Sequence, residues 1–419
     1  MTSYGPIENC QSCGGKNLES VLFIGYLPPV NTMPDMGRPL PAEPWFPAEL
    51  LYCGHCSLVQ LGFAADPAIL FPPEYPYTSG TTKILRDNFK NLFQEVKERL
   101  CLQPQDFVID IGSNDGTLLS NFMDGGMKVL GVEPTLAGEI ARSKGIETLQ
   151  VFFSRETAGE ISRKYGNARV VTAANVFAHI HPVHEIVEAV SLLTGEQGVF
   201  ISESHYLGAV VQGLQYDTVY HEHLRYYSLT SLKNLLEKHG FQIFYVKKIP
   251  THGGSIRVYA SRPGNYPVHE SVAALLAEER SAGLASSLWI PDFQRRAEKS
   301  KHEMHQLLTE AINKSGKVYG ISAPSRASTL VHYMGLDDSM IECVLEIAGS
   351  KKIGKYMPGT KIPVLEETRL YQDQPAYALL FSWHIADELC RNLKMRGYRG
   401  DFIVPLPTPH IIKNSEVRE

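Results

Sequence analysis

Residues 217–229, DTVYHEHLRYYSL, bring Asp217, His221, Glu222 and His223 together with Tyr220, Tyr226 and Tyr227. Imidazole, carboxyl and phenol groups give and take protons, so a run this dense has the side chains for general acid–base chemistry. A regular strand would divide them, with Tyr220, Glu222 and Leu224 on one face and His221, His223 and Arg225 on the other. Either the run is a loop or turn, which Asp217 and its polarity allow, or only half of these residues can act in one place.

A second set of reactive side chains is Cys10, Cys13, Cys53 and Cys56, in CQSC and CGHC. Two CxxC knuckles can supply four thiolates to one tetrahedral zinc, and glycines nearby without a βαβ pattern favour metal over redox use. His55, inside the second knuckle, is an alternative ligand; four sulfurs are the more economical set and leave no open position for catalysis. Cys101, Cys343 and Cys390 stand alone and read as ordinary buried residues.

The third constellation is VIDIGSNDGTLLSNF, starting at Val108. An apolar strand ends at Asp110, turns through Gly112, Ser113, Asn114, Asp115 and Gly116, and runs into a helix. The dinucleotide fingerprint G-x-G-x-x-G is not met, and Asp110 and Asp115 would repel a pyrophosphate. About 20 residues on, VLGVEP ends in Glu133, placed to bond two ribose hydroxyls. Together these describe an adenosine ligand with positive charge, S-adenosylmethionine, ahead of a nicotinamide dinucleotide or a turn that is merely tight. Asn175 and His179, in TAANVFAHIHPVHEIV, fall at a strand end where such sheets bind ligands.

The elements that must position these groups are legible around them. KILRDNFKNLFQEVKERLCL carries apolar residues at helical spacing (Ile84, Leu85, Phe89, Leu92, Phe93, Val96 and Leu100), and the text from FVIDIG to GVFISES alternates strand and helix. That alternation predicts a doubly wound parallel sheet, followed by the β-rich FQIFYVKKI and SIRVYASR. A helical stretch over 267–314 leads to a second, smaller α/β unit with strands KVYGIS, IECVLEI, KIPVL, YALLFSW and DFIVPLP. Residues 25–48, rich in proline, read as a loop arm of the cysteine module.

With 419 residues, 43% of them hydrophobic and 20% charged, the chain can form two or three cores. Its net charge of −5, without a basic block, makes nucleic acid or an anionic membrane a poor partner and a small molecule a better one. Without an apolar run of roughly 18 residues or a signal-peptide pattern, a cytoplasmic protein is expected.

The order of the two knuckles, DIGSNDGTLL, ANVFAHI, YHEHLRYYSL, HGGSIRVY, YMPGTKIP and FIVPLP resembles the nucleotide-sugar C-methyltransferases of deoxysugar biosynthesis, from Cys10 to about Pro407. The resemblance implies an α/β protein of three parts: a zinc-binding module over 1–75, a class I S-adenosylmethionine methyltransferase domain of Rossmann-like fold over 76–285, and a smaller Rossmann-like nucleotide-sugar-binding domain over 286–419. It implies a monomer that methylates C3 of a nucleotide-linked 4-keto sugar through an enolate, in secondary-metabolite (antibiotic) or cell-surface glycan synthesis. His223 would be the base, with Tyr220, Glu222 and His179 around the sugar, His221 structural, and Tyr75 or Tyr77 of PPEYPYTSGTT contributing a phenol. His252, Gly253, Arg326 and Tyr356 would face the substrate.

The chain departs from the pattern where relatives read close to GAPAKGNTLL: GISAPSRASTLV puts Arg326 and Ala327 in place of lysine and glycine. Glu346 stands for an aspartate and His384 for an asparagine. Arg326 still has the forked donor geometry that suits a diphosphate. Two competing expectations are a methyltransferase of another acceptor, such as a sugar or polyketide oxygen, and a zinc-dependent binding protein without catalysis.

Overall fold

The computed structural model describes residues 4–75 and 77–418. Pro76, where the first domain boundary is drawn from sequence, lies outside the described residues, as do the terminal residues 1–3 and 419 of the outer spans.

Three main sheets carry the chain. The first is antiparallel, in the order Arg225–Tyr226, Val59–Leu61, Phe46–Cys53, Leu18–Leu27. Its outermost strand comes from far along the sequence: Arg225 and Tyr226 pair with Gln60 and Val59. The second has seven strands, in the order Gln242–Ile249, Ser255–Ser261, Val199–His205, Val170–Ala174, Phe107–Ile111, Lys128–Val132, Thr148–Leu149. The last five of these are parallel, and the Gln242–Ser261 hairpin closes one edge antiparallel. The third sheet runs Val364–Glu366, Ile341–Glu346, Val318–Ile321, Tyr377–Leu380, Asp401–Val404, His410–Ile412, with only the last strand antiparallel.

Helix Lys83–Arg99 forms as its spacing predicts, burying Leu85, Phe89, Leu92 and Val96 at intervals of three and four. Ile84, read as part of that face, is exposed instead, one position off the stripe. Arg257, fully buried on the hairpin, fixes this helix to the sheet: its guanidinium meets Glu203 at 2.6 Å, Asn88 Oδ1 at 3.0 Å and Glu95 at 3.2 Å. Helix Leu229–Glu237 opens on a Ser228–Ser231 capping box, and the buried Glu279 carboxylate accepts from the N–H groups of Leu229 and Thr230. No helix among the described residues is long and apolar enough to cross a membrane.

Candidate active site and zinc centre

The four knuckle sulfurs converge. Cys10 and Cys56 Sγ stand 3.4 Å apart, Cys13 and Cys53 Sγ 3.5 Å apart, and all four lie within 4.8 Å of one another. Sulfurs about 2.3 Å from a tetrahedral zinc would be about 3.8 Å apart, so the set fits that ion. His55 is exposed and outside the cluster. Of the three lone cysteines, Cys343 and Cys390 are buried as expected, whereas Cys101, just past the end of helix Lys83–Arg99, is exposed. The N–H groups of Ser12 and Cys13 point at Cys10 Sγ and that of Gly15 at Cys13 Sγ, as suits sulfurs carrying negative charge.

At the carboxyl end of strand Phe107–Ile111 the chain turns through Gly112, at φ +69°, where a Cβ would strike Val176 at 2.7 Å. Only glycine suits both conditions. Glu133, at the end of the next strand, accepts from the N–H of Asn114 at 3.0 Å and from both the N–H and hydroxyl of Thr135 at 2.9 and 2.6 Å. Asp110 accepts from the Thr172 hydroxyl at 2.6 Å, and burial, with a smaller contribution from Glu133 and Glu203, pushes its carboxyl up to about 7. Asp115 faces its own helix, accepting from Thr117, and bonds the Gly80 N–H at 3.0 Å. Asn114 accepts from the Ser79 N–H at 2.8 Å and donates to the Tyr77 carbonyl, so the segment 77–80 is strapped across the turn. Ser113 Oγ is enclosed without a partner. A turn rimmed by three carboxylates suits a cationic sulfonium and not a pyrophosphate. Asn175, at φ +59°, sits at the end of the adjacent strand with its N–H on the Glu203 carbonyl.

The YHEH stretch is a turn. It lies between a single turn of helix at Tyr216–Thr218 and the short strand Arg225–Tyr226, and Arg225 anchors its exit by donating to the carbonyls of Phe177 and Ile180, to Gln11 and to the Tyr227 hydroxyl. The turn relieves the two-face constraint of a strand. His221 goes one way, packed on Phe46 and Phe63 and donating to the Pro47 carbonyl. His223 goes the other, with its ring centroid 4.1 Å from Tyr220, 4.8 Å from His179 and 4.9 Å from His205.

His223 Nδ1–H donates to the Thr218 carbonyl at 2.8 Å, which leaves the lone pair on Nε2. Burial pushes its conjugate acid down to about 3, and the Arg326 cation and His252 press the same way. His179 and His205 are held neutral by the same burial, and His252 by burial and Arg326. His252 adopts φ +56° ahead of Gly253 at +86°, and its Nε2 is enclosed without a partner. Strained backbone and an unpartnered buried nitrogen together mark a group kept for a ligand.

Glu222 accepts from the Tyr75 hydroxyl and from Asn31 Nδ2, both at 2.7 Å, and its carboxyl is raised by burial to about 7. Of the two candidate phenols, Tyr75 joins this cluster; Tyr77 is 40% exposed over the cofactor turn. Arg326 corrects the expectation of a free fork for a diphosphate. Its Nε and Nη2 grip Asp217 at 2.7 and 2.8 Å, Nη1 donates to His384 at 3.1 Å, and the plane lies over Trp383, whose Nε1 also reaches Asp217. Tyr356 pairs through its backbone with Pro34 and Pro363 and makes no bond to the YHEH turn.

Three participants escaped sequence reasoning. His205 ends strand Val199–His205, and the rule that ligands sit at carboxyl strand ends would have found it. Asn31, in the proline-rich arm, and Lys352, which donates to the Ala323 carbonyl, carried no local signal.

Comparison with known proteins follows the same division. Residues 10–71 match a zinc binding domain family, residues 83–246 a methyltransferase domain and residues 250–407 a C-methyltransferase C-terminal domain. The chain is 33% identical over 411 residues to the C-methyltransferase NovU of Streptomyces niveus, covering 97% of each. Among solved structures, it is similar to magnesium protoporphyrin IX methyltransferase of Synechocystis PCC 6803 with bound SAM (15% identity, 43% of this chain and 82% of that one, TM-score 0.33). It is also similar to the PH0226 protein of Pyrococcus horikoshii OT3 (16% identity, 47% and 99%, TM-score 0.37).

Proposed function

Since the chain belongs to the C-methyltransferase family with an N-terminal zinc domain, and so is an S-adenosylmethionine-dependent C-methyltransferase, we propose that its acceptor is a nucleotide-linked 4-keto sugar, methylated at C3 through an enolate. S-adenosylmethionine, when bound at the Glu133 end of the sheet, supplies an electrophilic methyl group. The chain's own residues prepare the carbon. His223 Nε2 removes the C3 proton, which the neighbouring keto group acidifies. The neutral rings of His179 and His252 furnish N–H donors for the oxygen on which charge develops, a task in which a fixed dipole in a dry site is worth far more than in water. Tyr220, its ring tilted against that of His223, walls the reacting face.

A conjugate acid at about 3 makes His223 a weak base in the empty site, but the enolate's negative charge stabilises the imidazolium as it forms. Glu222, with a carboxyl at about 7, is the stronger base beside it in the chain and receives the proton in turn through an intervening group, since its carboxylate bonds Tyr75 and Asn31 and not His223. The observation that carries this reading is the Nδ1–H bond to Thr218, which fixes the tautomer and leaves Nε2 unprotonated inside a ring of neutral imidazoles.

His223→Asn should abolish both methylation and loss of deuterium from C3, with S-adenosylmethionine binding intact by calorimetry. Turnover in that variant would remove the assignment. Thymidine-, guanosine- and cytidine-linked 4-keto sugars, offered in turn with mass spectrometry of the product, test the acceptor; a product that keeps its C3 deuterium would instead mean methylation on oxygen.

A further inference from the structure

The arm of the zinc module enters the acceptor site. Asn31 lies among prolines between strands Leu18–Leu27 and Phe46–Cys53, yet its amide makes three bonds to other parts of the chain. Nδ2 donates to Glu222 Oε1 at 2.7 Å and to the Tyr75 hydroxyl oxygen at 3.1 Å, and Oδ1 accepts from the Ser325 hydroxyl at 3.1 Å. The bonds fix the orientation of the amide. Turned over, it would present its carbonyl oxygen to a carboxylate and its N–H₂ to a hydroxyl that can adapt, so only the observed placement satisfies Glu222.

We propose that Asn31 is a positioning residue for the reaction: through its N–H₂ group, the zinc module holds the Glu222 carboxylate and the Tyr75 phenol in the arrangement that accepts the proton from His223. The proposal rests on the role given above to Glu222. It assigns the zinc module a part in turnover in addition to its part in folding, since the same amide also meets Ser325, the first residue of helix Ser325–Met334.

The electrostatics agree with the geometry. Burial raises the Glu222 carboxyl, and the bonds from Tyr75 and Asn31, with the charge of Lys352, oppose that rise. The other groups facing Glu222 are Tyr220 in its own turn, Tyr75 from the stretch ahead of the strap and Lys352 from the segment after strand Ile341–Glu346. Of these, only Lys352 is cationic, and its Nζ is held on the Ala323 carbonyl at 2.6 Å. Asn31 is thus one of two groups that donate a hydrogen bond to Glu222 among the described residues.

The test is steady-state kinetics of the zinc-loaded full chain with a thymidine-linked 4-keto sugar, or whichever acceptor the substrate survey selects. Asn31→Ala should lower kcat about ten- to a hundred-fold, the range expected for a lost bond to a charged group. Cofactor affinity and zinc content should not change. The limb of the pH–rate profile that reports Glu222 should move to higher pH, because a donor that favours the anion has gone. In a Glu222→Gln background the same substitution should have almost no further effect on kcat. Asn31→Asp keeps the volume and puts an acceptor against Glu222, so it should shift the limb further even if Asn31→Ala loosens the arm. An unmoved limb in both variants, or a loss that repeats in full in the Glu222→Gln background, would overturn the proposal. Should Glu222→Gln itself leave kcat unchanged, the role of Glu222 fails first and the proposal with it.

Discussion

The turn proposed for the cofactor and the cluster proposed for the acceptor are put together in opposite ways. Gly112–Gly116, Glu133 and Asp110 belong to one strand–turn–helix and the strand beside it, and their polar groups bond chiefly to one another and to the strap 77–80. The acceptor cluster draws on Asn31, Tyr75, His179, His205, the 220–223 turn and His252, and its ties run to the N-terminal sheet and to Arg326 of the third unit. A self-contained site should tolerate damage elsewhere; a convergent one should not. That difference decides which lesion harms which step.

Zinc removal should separate the two ends most widely. Structural zinc in small domains is worth on the order of 10–16 kcal/mol of apparent binding free energy, so a strong chelator should unfold the first sheet. With it would go the pairing of Arg225–Tyr226, the Gln11 bond to Arg225 and the approach of Asn31. Turnover should vanish, while S-adenosylmethionine affinity, read by calorimetry, falls no more than a few-fold. A chelated protein that still methylates would show that the acceptor end stands without the module.

Asp217→Ala strikes the acceptor end from the other side. It leaves Arg326, 7% exposed, buried without its carboxylate, and breaking such a pair costs about 3–5 kcal/mol. The denaturation midpoint should fall accordingly, and turnover should drop more than cofactor affinity. Glu133→Ala is the reciprocal lesion at the cofactor end. Loss of the carboxylate proposed to bond the ribose should weaken S-adenosylmethionine binding about ten- to a hundred-fold. At saturating cofactor kcat should stay within a few-fold, because nothing in the His223 cluster bonds to Glu133 among the described residues.

The same contrast explains what the sequence could be made to say. The doubly wound middle sheet, the cofactor turn and the four-sulfur cluster all rest on short-range spacing: alternation of strand and helix, glycines where φ is positive, knuckles that place two sulfurs on one turn. Each was readable because its residues are neighbours in the chain. DTVYHEHLRYYSL was half readable, since its density announced chemistry, but whether it was strand or turn depended on Arg225 reaching Phe177, Ile180 and Gln11. Arg326 was misread for the same reason, because its partner Asp217 is 109 residues away. Asn31 lay in a proline-rich arm with no pattern to single it out.

Two buried carboxyls with the same displaced value provide the finest comparison. Asp110 under the cofactor turn and Glu222 in the acceptor cluster are each pushed up to about 7, in both cases first by burial. A carboxyl raised in the folded protein is protonated below that value and charged above it, so each end should gain its anion as pH rises through about 7. At the cofactor end an anion attracts a sulfonium; S-adenosylmethionine affinity should therefore strengthen with pH, by at most about tenfold per unit below the midpoint. In the proposed reaction the anion at the acceptor end receives the proton that leaves by way of His223, so kcat at saturating cofactor should climb over the same interval. Asp110→Asn should flatten the affinity profile and leave the kcat limb, and Glu222→Gln should flatten the kcat limb and leave the affinity profile. If either substitution flattens both, the two ends titrate as one site and their independence, on which the other expectations depend, is lost.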